Sequence, residues 1–596
     1  MEILKGSAAA AIYGARAGAG VVLITTKRGR AGETRWSLRS TSSADKVNRD
    51  YPLQRRFGHG SQGNPAVCGG PGCYLTGASF GPELAPNVPR FNHFMEMFET
   101  GRTFDNTLSV SGGSDRATFY ASLGHTDQDG YIIGGNDAFL RTTALIKGTL
   151  QLNDKLTLGG TINYADTHGS FIQKGSNLSG LLLGALRTPP EFDNRQYRDP
   201  ETGLHRSYRY PRPTPTSLYQ TRAYDNPFFI VYEMQNTSDV GRAFGNINLD
   251  YRPMDWLSVK YTLSSDYSSD ARIEALPPSN STEPTGQIDR ANYTIFQFDH
   301  NLIAQAEKRF NNWVNASLTL GQNLNSRSYT QLQVRGRGFI APDIFTLSNT
   351  ISSNMLPLDY ESLVHLESYF AEAKLDLWDQ LYLTAGARND ASSTFGKSVR
   401  RNWFPKASVA WEFSEFLGIQ TGTGLLSYAK ARAAYGETGR EPEPYQVFSG
   451  FTVGTFGDGW TTGLNVSQGG NAGIFRSGSK GQERLKPERN KEFEAGLDLA
   501  FFDSKVDVGV TYYDARSTDV ILSLPVPPST GYFSQVQNAA TITNKGWEVS
   551  ANWRALSMRD LEWNVGVQWA RNRNLVKDLR GAEQFYLPGG FVSGIK

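Results

Sequence analysis

Strict alternation of apolar and polar residues is the feature that most limits how this chain of 596 residues can fold. In FEAGLDLAF, residues 493–501, apolar side chains occupy every odd position and two carboxylates lie between them. Segments 506–513, 546–553 and 561–569 repeat the pattern, and several carry aromatic residues at their ends. A period of two puts apolar side chains on one face of a β-strand. About seventeen such segments, each of roughly 8–14 residues, predict an all-β protein.

The connections between these segments alternate in length. Very short turns, such as Ser114-Asp115 and Trp378 to Gln380, separate some strands. Long polar excursions separate the others, at roughly 169–238, 270–290, 326–362, 437–487 and 520–540. A meander that is tight at one end and expansive at the other is expected of an outer-membrane barrel. Seventeen strands already indicate the large class, in which a barrel of about 22 strands needs a plug. We therefore predict a large antiparallel transmembrane β-barrel of the 22-stranded type.

Composition and charge exclude other classes of protein. Aromatic residues make up 12% and glycine contributes 61 residues, a mixture that suits many strands. The formal net charge is +2, so no broad basic surface predicts nucleic-acid binding. No window holds the roughly 18 consecutive apolar residues of a membrane-spanning helix. A barrel stays possible because its strands alternate and score as moderately polar.

The two cysteines, Cys68 and Cys73, lie in the stretch VCGGPGCYL. This Gly- and Pro-rich loop could bring the two sulfur atoms together, so we predict a local disulfide, with free thiols as the alternative. A metal site is not expected, because one cysteine pair supplies only half of a tetrahedral zinc set and no histidine lies in the loop.

The opening segment contains spaced glycines that resemble a phosphate loop at first sight. A phosphate loop needs a strand, then the glycines, then a helix. Here the order is reversed: residues 2–14 form an Ala-rich stretch with helical propensity, Gly14, Gly18 and Gly20 form a turn, and Val21 to Thr26 is a buried-type strand. We therefore do not expect nucleotide binding.

Several stretches carry a resemblance to one family. LKGSAAAAIYGARAGAGVVLITTKRG, residues 4–29, resembles the end of the plug domain in TonB-dependent outer-membrane transporters of the SusC/RagA type. Residues 107–132 resemble that family's early hairpin, and residues 485–550 a long stretch of its later barrel. The segment ARNDASSTFG is similar to the family's RYDGSSRFG, with Asn389 and Ala391 as departures.

The resemblance implies a division into residues 1–30, the C-terminal part of a plug domain, and residues 31–596, a partial barrel with long extracellular loops. The plug motif is carried by Tyr13, Gly14, Arg16, Gly18 and Gly20. A complete member has a signal peptide, a β-sandwich extension, a TonB box and more plug before this region, and further strands after it. We therefore expect a fragment that lacks both ends.

The resemblance also implies a function. A SusD-like surface lipoprotein would capture a glycan or peptide oligomer over the barrel mouth. The TonB-ExbB-ExbD complex would then act on the plug, through the missing N-terminal region, to open a passage. The expected location is the Gram-negative outer membrane, in contact with its lipid. No cofactor and no enzymatic step are expected.

Two aromatic-rich loops are candidate ligand surfaces. Tyr208 and Tyr210 lie in one and Trp460 in the other, and their rings could stack on sugars or peptide side chains. The alternative is that these rings only pack the long loops together.

Three motif-like stretches fail on context, so the sequence predicts no catalytic or metal residues. GASFG, residues 77–81, is followed by Pro82 and no helix. ASSTFGKS, residues 391–398, lies between two strands instead of before a helix. DQDGYIIGGND, from Asp127, lacks the spacing of an EF-hand, although weak calcium binding in that loop stays open.

Two other functions stay open. A siderophore or cobalamin receptor would share the plugged barrel without the lipoprotein partner. A soluble or surface-anchored β-rich protein that binds or hydrolyses carbohydrate would bury the apolar strand faces against a second layer.

Overall fold

The computed structural model describes residues 2–4, 6–7, 11–18, 20–75, 79–173, 178–218, 224–419, 425–452 and 474–579, and the backbone of short strand pairs between 455 and 595. Within this part, seventeen strands of 11 to 25 residues form one large sheet. They are β1 Gly32–Asp45, β2 Gly101–Gly113, β3 Ala117–Asp129, β4 Phe139–Asn153, β5 Leu156–Ser170, β6 Gln235–Met254, β7 Leu257–Leu276, β8 Gln287–Asn311, β9 Val314–Arg337, β10 Leu356–Leu377, β11 Leu381–Ser392, β12 Arg401–Trp411, β13 Leu426–Arg440, β14 Glu488–Phe501, β15 Val506–Pro525, β16 Ser534–Ser557 and β17 Glu562–Asp578.

Each strand pairs antiparallel with the next one along the chain, from β1 with β2 to β16 with β17. The sheet forms a barrel wall, which confirms the predicted all-β meander and its strand number. We call these seventeen strands the wall.

The predicted strand length of 8–14 residues was wrong for many strands. β8 and β9 have 25 and 24 residues, and their pairing runs from Gln287↔Arg337 to Arg309↔Asn315 and beyond. A backbone ladder continues wherever a paired neighbour exists, even where both faces of a strand are polar. Side-chain alternation therefore reported only the part of each strand that has two different faces.

Short turns and long loops lie at opposite ends of the wall, as predicted. The turn end has two- to four-residue connections such as 114–116 and 378–380, with a longer one at 412–425. The loop end carries residues 46–100, 171–234 and 441–487. The length of 46–100 was not predicted. The excursions expected at 270–290, 326–362 and 520–540 are shorter, because the flanking strands continue to Leu276, Arg337 and Pro525.

The outer face of the wall is apolar. On β9, Leu318, Leu320 and Leu324 are exposed, whereas Asn323 and Asn325 are buried on the opposite face. Exposed leucines on alternate positions of a barrel strand are the side chains that contact lipid. No second sheet covers this face among the described residues, so the sandwich expected of a soluble β-rich protein is not formed.

Exposed aromatic residues form two belts on this face. The belt at the turn end contains Trp256, Trp313, Trp378, Trp411, Phe502, Trp553 and Trp563. The belt toward the loop end contains Tyr164, Tyr267, Tyr369, Trp403, Phe493, Trp547 and Trp569. Trp411 and Trp403, one from each belt, are eight positions apart on β12. Trp256, in the turn before β7, and Tyr267, on β7, are eleven positions apart. With a rise of about 3.4 Å per residue and a tilt of about 40°, these spacings correspond to roughly 20–30 Å of membrane.

The described residues of 46–100 and 171–234 pack together at the loop end, and we call them the loop assembly. Its described part contains three short α-helices, Leu181–Arg187, Pro215–Leu218 and Pro227–Glu233. The last of these begins in a standard way, because the Asn226 side chain accepts a hydrogen bond from the Phe228 N–H and proline occupies the first turn. An apolar core joins the assembly to the wall; it contains Met97, Ile132, Ile172, Leu181, Ala185, Phe228, Phe229, Ile230, Val231, Met234 and Leu276.

The N-terminal segment, residues 2–23, contacts the wall through its described residues Ser7 and Ala11–Arg16. Its helical prediction was wrong at the start, because Glu2–Leu4 is a strand that pairs antiparallel with Val21–Leu23. The helical part that is described is a short 3-10 element, Ala11–Arg16, which is kinked at Gly14 and contacts β11, β12 and β13. β-Branched and apolar residues at Ile3 and Val22 favour the strand pair over a helix. Among the helices of the described residues, none combines the length and hydrophobicity needed to cross a bilayer.

Candidate functional site

A buried ion pair on β11 holds the N-terminal segment. Arg388 Nε donates to Asp390 Oδ1 at 2.6 Å, and both side chains are buried. The Ala15 N–H donates to Asp390 Oδ2 at 2.6 Å, and Arg388 Nη1 donates to the Ile12 carbonyl at 2.8 Å. A buried ion pair stabilises a structure only when its remaining polar atoms are satisfied. Here the backbone of the segment supplies those partners, so the wall recognises the segment through its peptide groups.

Gly14 and Gly18 are required by this contact. Gly14 has φ +60°, and a Cβ there would lie 2.1 Å from Asp390 Oδ2. A Cβ on Gly18 would lie 2.8 Å from the Gly439 carbonyl oxygen. The glycines of the sequence motif therefore allow close approach of two backbones. Gly20 has φ +91°, and Tyr13 is half-buried in the 3-10 element.

Two further contacts extend the interface. Arg16 Nη2 donates to Asn323 Oδ1 at 3.1 Å and lies 3.7 Å from Asp299 Oδ2. The Ser7 N–H and hydroxyl both donate to Glu492 Oε2 at 2.9 Å. The N-terminal segment therefore contacts strands on both sides of the Arg388–Asp390 pair. Sequence reasoning named the motif residues of the segment but not their partners on the wall.

A cavity of about 800 Å³ lies where the segment, the wall and the start of loop 441–487 meet; we call it the lumen cavity. Ala15, Arg16 and Gly18 form its N-terminal side, and Pro442 and Pro444 lie on its loop side. Four arginines and three glutamates line it: Arg16, Arg327, Arg440, Arg489, Glu441, Glu443 and Glu488. A volume of this size can hold a ligand of several rings or residues.

Some of the charged groups in the lumen cavity have partners and others do not. Arg489 Nη1 donates to Glu437 Oε2 at 2.6 Å, and Glu488 Oε1 accepts from the Ile521 N–H at 2.9 Å. In the part of the chain that the structure describes, the side chains of Arg327 and Arg440 make no hydrogen bond and no ion pair within 4.0 Å, and both residues are exposed. These two guanidinium groups are therefore available to a ligand.

Glu441 is the partly buried acid of this cavity. Its Oε2 accepts a hydrogen bond from Ser392 Oγ at 3.3 Å, and its Oε1 is buried without a hydrogen-bond partner among the described residues. Burial raises the pKa of Glu441, and the charges of Arg16 and Arg327 partly oppose the shift. The carboxyl group is therefore easier to protonate than an exposed glutamate.

A row of tyrosine rings crosses the same side of the wall. Ring centroids are 6.4 Å apart for Tyr293 and Tyr329, 5.9 Å for Tyr329 and Tyr360, and 6.3 Å for Tyr360 and Tyr445. The Tyr445 hydroxyl donates to the Glu361 carbonyl at 2.9 Å, which ties loop 441–487 to β10. Tyr329 and Tyr360 line the lumen cavity. Sequence reasoning missed this row because its members come from three strands and one loop.

The tyrosines that the sequence singled out lie elsewhere. Tyr208 is 5% exposed and Tyr210 is 2% exposed, both inside the loop assembly. The Tyr210 ring packs on Tyr74 with centroids 5.1 Å apart, and the Tyr208 ring lies 5.5 Å from His59. These surroundings fit the packing interpretation that the sequence left open. Trp460 lies outside the described residues.

Cys68 and Cys73 form a disulfide in the loop assembly, the pairing expected from the sequence. The adjoining backbone is bonded to residues 171–234: the Gly72 N–H donates to the Arg212 carbonyl, and the Leu75 N–H to the Arg209 carbonyl, both at 2.8 Å. The disulfide therefore lies where the two long loops join.

A buried His205–Asp225 pair anchors the other side of the loop assembly. His205 Nε2 accepts from the Asn226 N–H at 2.8 Å, and Nδ1 faces the Ser279 carbonyl at 3.2 Å. Burial lowers the pKa of His205 to about 3 and raises that of Asp225 to about 6. Since one ring nitrogen accepts and the other faces an acceptor, the neutral ring fits this position.

The described side chains of His, Cys, Asp and Glu form no group of three or more that could hold a metal ion.

Comparison with known proteins identifies the family of the chain. The model of the "TonB dependent receptor-like, beta-barrel" family matches residues 188–588. The chain belongs to this family. It is thus an outer-membrane β-barrel protein, which agrees with the exposed leucines and aromatic belts of its wall.

Its curated relatives are longer than the chain. TonB-dependent receptor P3 of Formosa agariphila is 25% identical over 99% of this chain and 56% of its own length. TonB-dependent receptor SusC of Bacteroides thetaiotaomicron is 22% identical over 99% of this chain and 58% of its own length. The chain thus spans a little over half the length of these relatives.

Solved structures show the same fold. The RagAB peptide importer in its 'closed-closed' state matches with a TM-score of 0.79 at 21% identity, over 98% of this chain and 66% of that one. The siderophore receptor PirA from Acinetobacter baumannii matches with a TM-score of 0.54 at 14% identity, over 95% of this chain and 66% of that one.

Proposed function

We propose that this protein imports glycan or peptide oligomers across the outer membrane, with the lumen cavity as a binding place on the route. The observation that carries the proposal is that the N-terminal segment and the wall build this cavity together. Ala15, Arg16 and Gly18 line it beside residues of β9, β10 and β13. Movement of the segment would therefore change the cavity and open space beneath it.

The contacts between the N-terminal segment and the wall are few enough for the segment to be removed from the barrel. The segment is held by a small number of hydrogen bonds to Arg388, Asp390 and Glu492. Neighbouring wall strands are joined by backbone ladders, of which the shortest, between β12 and β13, has six residue pairs. We therefore propose residues 1–30 as plug and residues 31–596 as barrel. Opening would break the segment's contacts first and leave the wall intact.

The proposed partners follow from the relatives. The RagAB structures are those of a peptide importer in 'open-open' and 'closed-closed' states. We propose that a SusD-like lipoprotein closes over the loop end and that the TonB-ExbB-ExbD complex supplies the energy. In this mechanism the protein binds and gates, and it makes or breaks no covalent bond.

An import experiment tests the function. A bacterium that carries the gene and a matched deletion strain are given fluorescently labelled oligosaccharides, labelled peptides and an iron-siderophore complex. We expect accumulation of an oligosaccharide or peptide that depends on both the gene and a working TonB. Uptake of the siderophore alone, or oligomer uptake unchanged by the deletion, would overturn the proposal.

A further inference from the structure

The arginines of the inner wall fall into two groups. Three on β6, β7 and β9 have a carboxylate within hydrogen-bond distance: Arg242 pairs with Asp266, Arg272 with Asp270 and Arg335 with Asp289. Arg327, on the same β9, and Arg440, at the end of β13, have no such partner among the described residues, and both line the lumen cavity. A guanidinium that the fold does not neutralise is available to an anion from outside.

The charges of Arg327 and Arg440 are the ones that no ion pair among the described residues neutralises. Of the other two arginines in the lining, Arg16 lies 3.7 Å from Asp299 Oδ2, and Arg489 is paired with Glu437. The acids around the cavity balance its arginines in number, so selectivity depends on where the two unpaired guanidinium groups lie and not on a net positive charge.

The tyrosine row supplies flat apolar surface beside these cations. Tyr329 and Tyr360 line the cavity, and Tyr445 continues the row at its rim. Aromatic rings bind the apolar faces of sugar rings, while planar amide and guanidinium groups bind their polar edges. Asn325 and Asn490 add amide groups to the same lining.

A peptide is the competing ligand for this cavity. Peptides often bind by adding a strand to an unpaired sheet edge. β9 and β14 pair with a neighbour on both sides, whereas β10 pairs with β11 only from Leu366 onward and β13 pairs with β12 only up to Gly436. The experiment must therefore distinguish an acidic sugar from an acidic peptide.

We propose that the lumen cavity binds an acidic oligosaccharide, with sugar carboxylates on Arg327 and Arg440 and sugar rings against Tyr329 and Tyr360. This inference rests on the proposed function and names the substrate class of the same cavity. A guanidinium binds a carboxylate through two parallel hydrogen bonds, which gives both charge and geometric selectivity.

Binding to the purified chain in detergent tests the inference. The probes are tri-galacturonic acid, its neutral counterpart galactotriose, and triglutamate, measured by titration calorimetry at low and moderate salt. We expect the acidic sugar to bind at least tenfold more tightly than the other two. Its affinity should fall with salt, because the contacts are ionic.

Variants locate the site. Arg327→Gln with Arg440→Gln should lower the affinity for tri-galacturonic acid at least tenfold and leave galactotriose binding within twofold. Tyr360→Ala should weaken both sugars. The matched control, Arg309→Gln, changes an exposed arginine at the turn end, whose partner is Asp379, and should leave binding unchanged. If the double variant does not fold, the salt dependence of the unaltered chain still decides the question.

The contrary outcomes are distinct. Equal affinity for the acidic and neutral sugars, no binding of any probe at millimolar concentration, or an unchanged double variant would overturn the inference. Tighter binding of triglutamate that depends on Arg327 and Arg440 would replace the sugar by a peptide. If cells still import a neutral oligomer through the gene, the inference fails while the proposed function stands.

Discussion

The wall between the aromatic belts and the loop assembly use the same residue types in opposite ways. Leu318 and Leu320 on the wall are 46% and 50% exposed, whereas Phe229 and Val231 in the loop assembly are both fully buried. Lipid accepts an apolar side chain as readily as a protein core does, so the wall is stabilised by its backbone ladder. The loop assembly faces water and needs an apolar core. One chain therefore contains two regions stabilised by different forces.

The largest expected effect is on the core of the loop assembly. Phe229→Ala removes a fully buried ring and should lower the free energy of unfolding of the assembly by about 3–5 kcal/mol. Hydrogen exchange should show faster exchange in residues 171–234 and none of this change in the wall. The control, Leu320→Ala, removes a lipid-facing side chain and should change little. Equal effects of both variants would break the comparison.

A charge on the outer face should give the next largest effect. Leu318→Arg, on the lipid side of β9, should destabilise the wall by about 2–4 kcal/mol if it lies near the bilayer centre. Thr319→Arg, one position along and on the inner face, should cost far less. Denaturant unfolding in vesicles measures both. A larger loss for Thr319→Arg would show that the outward face has been misassigned.

Loss of the disulfide should have a smaller effect on stability than the charge on the outer face. Cys68 and Cys73 are five positions apart, so their bond closes a short loop. The double variant Cys68→Ser with Cys73→Ser should lower the stability of the loop assembly by about 2 kcal/mol. Proteolysis within residues 46–100 should become faster, and a reductant should reproduce the effect in the unaltered chain. Unchanged proteolysis would show that the Gly72 and Leu75 hydrogen bonds alone hold the two loops together.

The His205–Asp225 pair should give the smallest effect, because its two pKa shifts oppose each other. His205 has an ordinary pKa of 6.5 when unfolded and about 3 when folded, so acidification below 6.5 favours unfolding. Asp225 has a pKa of 3.8 when unfolded and about 6 when folded, so lowering the pH from 6 to 3.8 favours folding. The unaltered loop assembly should therefore change little in stability between pH 6 and 4.

Single variants separate the opposite pH dependences of stability that His205 and Asp225 cause. With Asp225→Asn, the stability of the loop assembly should fall by about 1.4 kcal/mol for each pH unit below 6.5. With His205→Gln, it should rise over the window from 6 to 3.8. Hydrogen exchange corrected for its intrinsic pH dependence measures both slopes. The same slope in both variants would show that the two groups do not titrate as their burial implies.

The sequence was most informative about the wall. Alternation in segments such as 493–501 depends only on neighbouring residues, so it predicted the strand faces, the turn end and the number of strands. It failed on strand length, because β8 and β9 continue where both faces are polar and only pairing holds them. It left open whether Tyr208 and Tyr210 contact a ligand or pack the loops, since composition cannot distinguish a ring that faces a ligand from one that packs a loop.

By itself, the sequence determined a large barrel and a glycine-containing N-terminal segment, because both follow from local periodicity and backbone freedom. Only the tertiary structure decided that Asp390 bonds to the backbone at Ala15, that Arg327 and Arg440 lack partners, and that four tyrosines form a row. These features join residues far apart in the chain, and their distances are set by how the strands are paired and the sheet is curved.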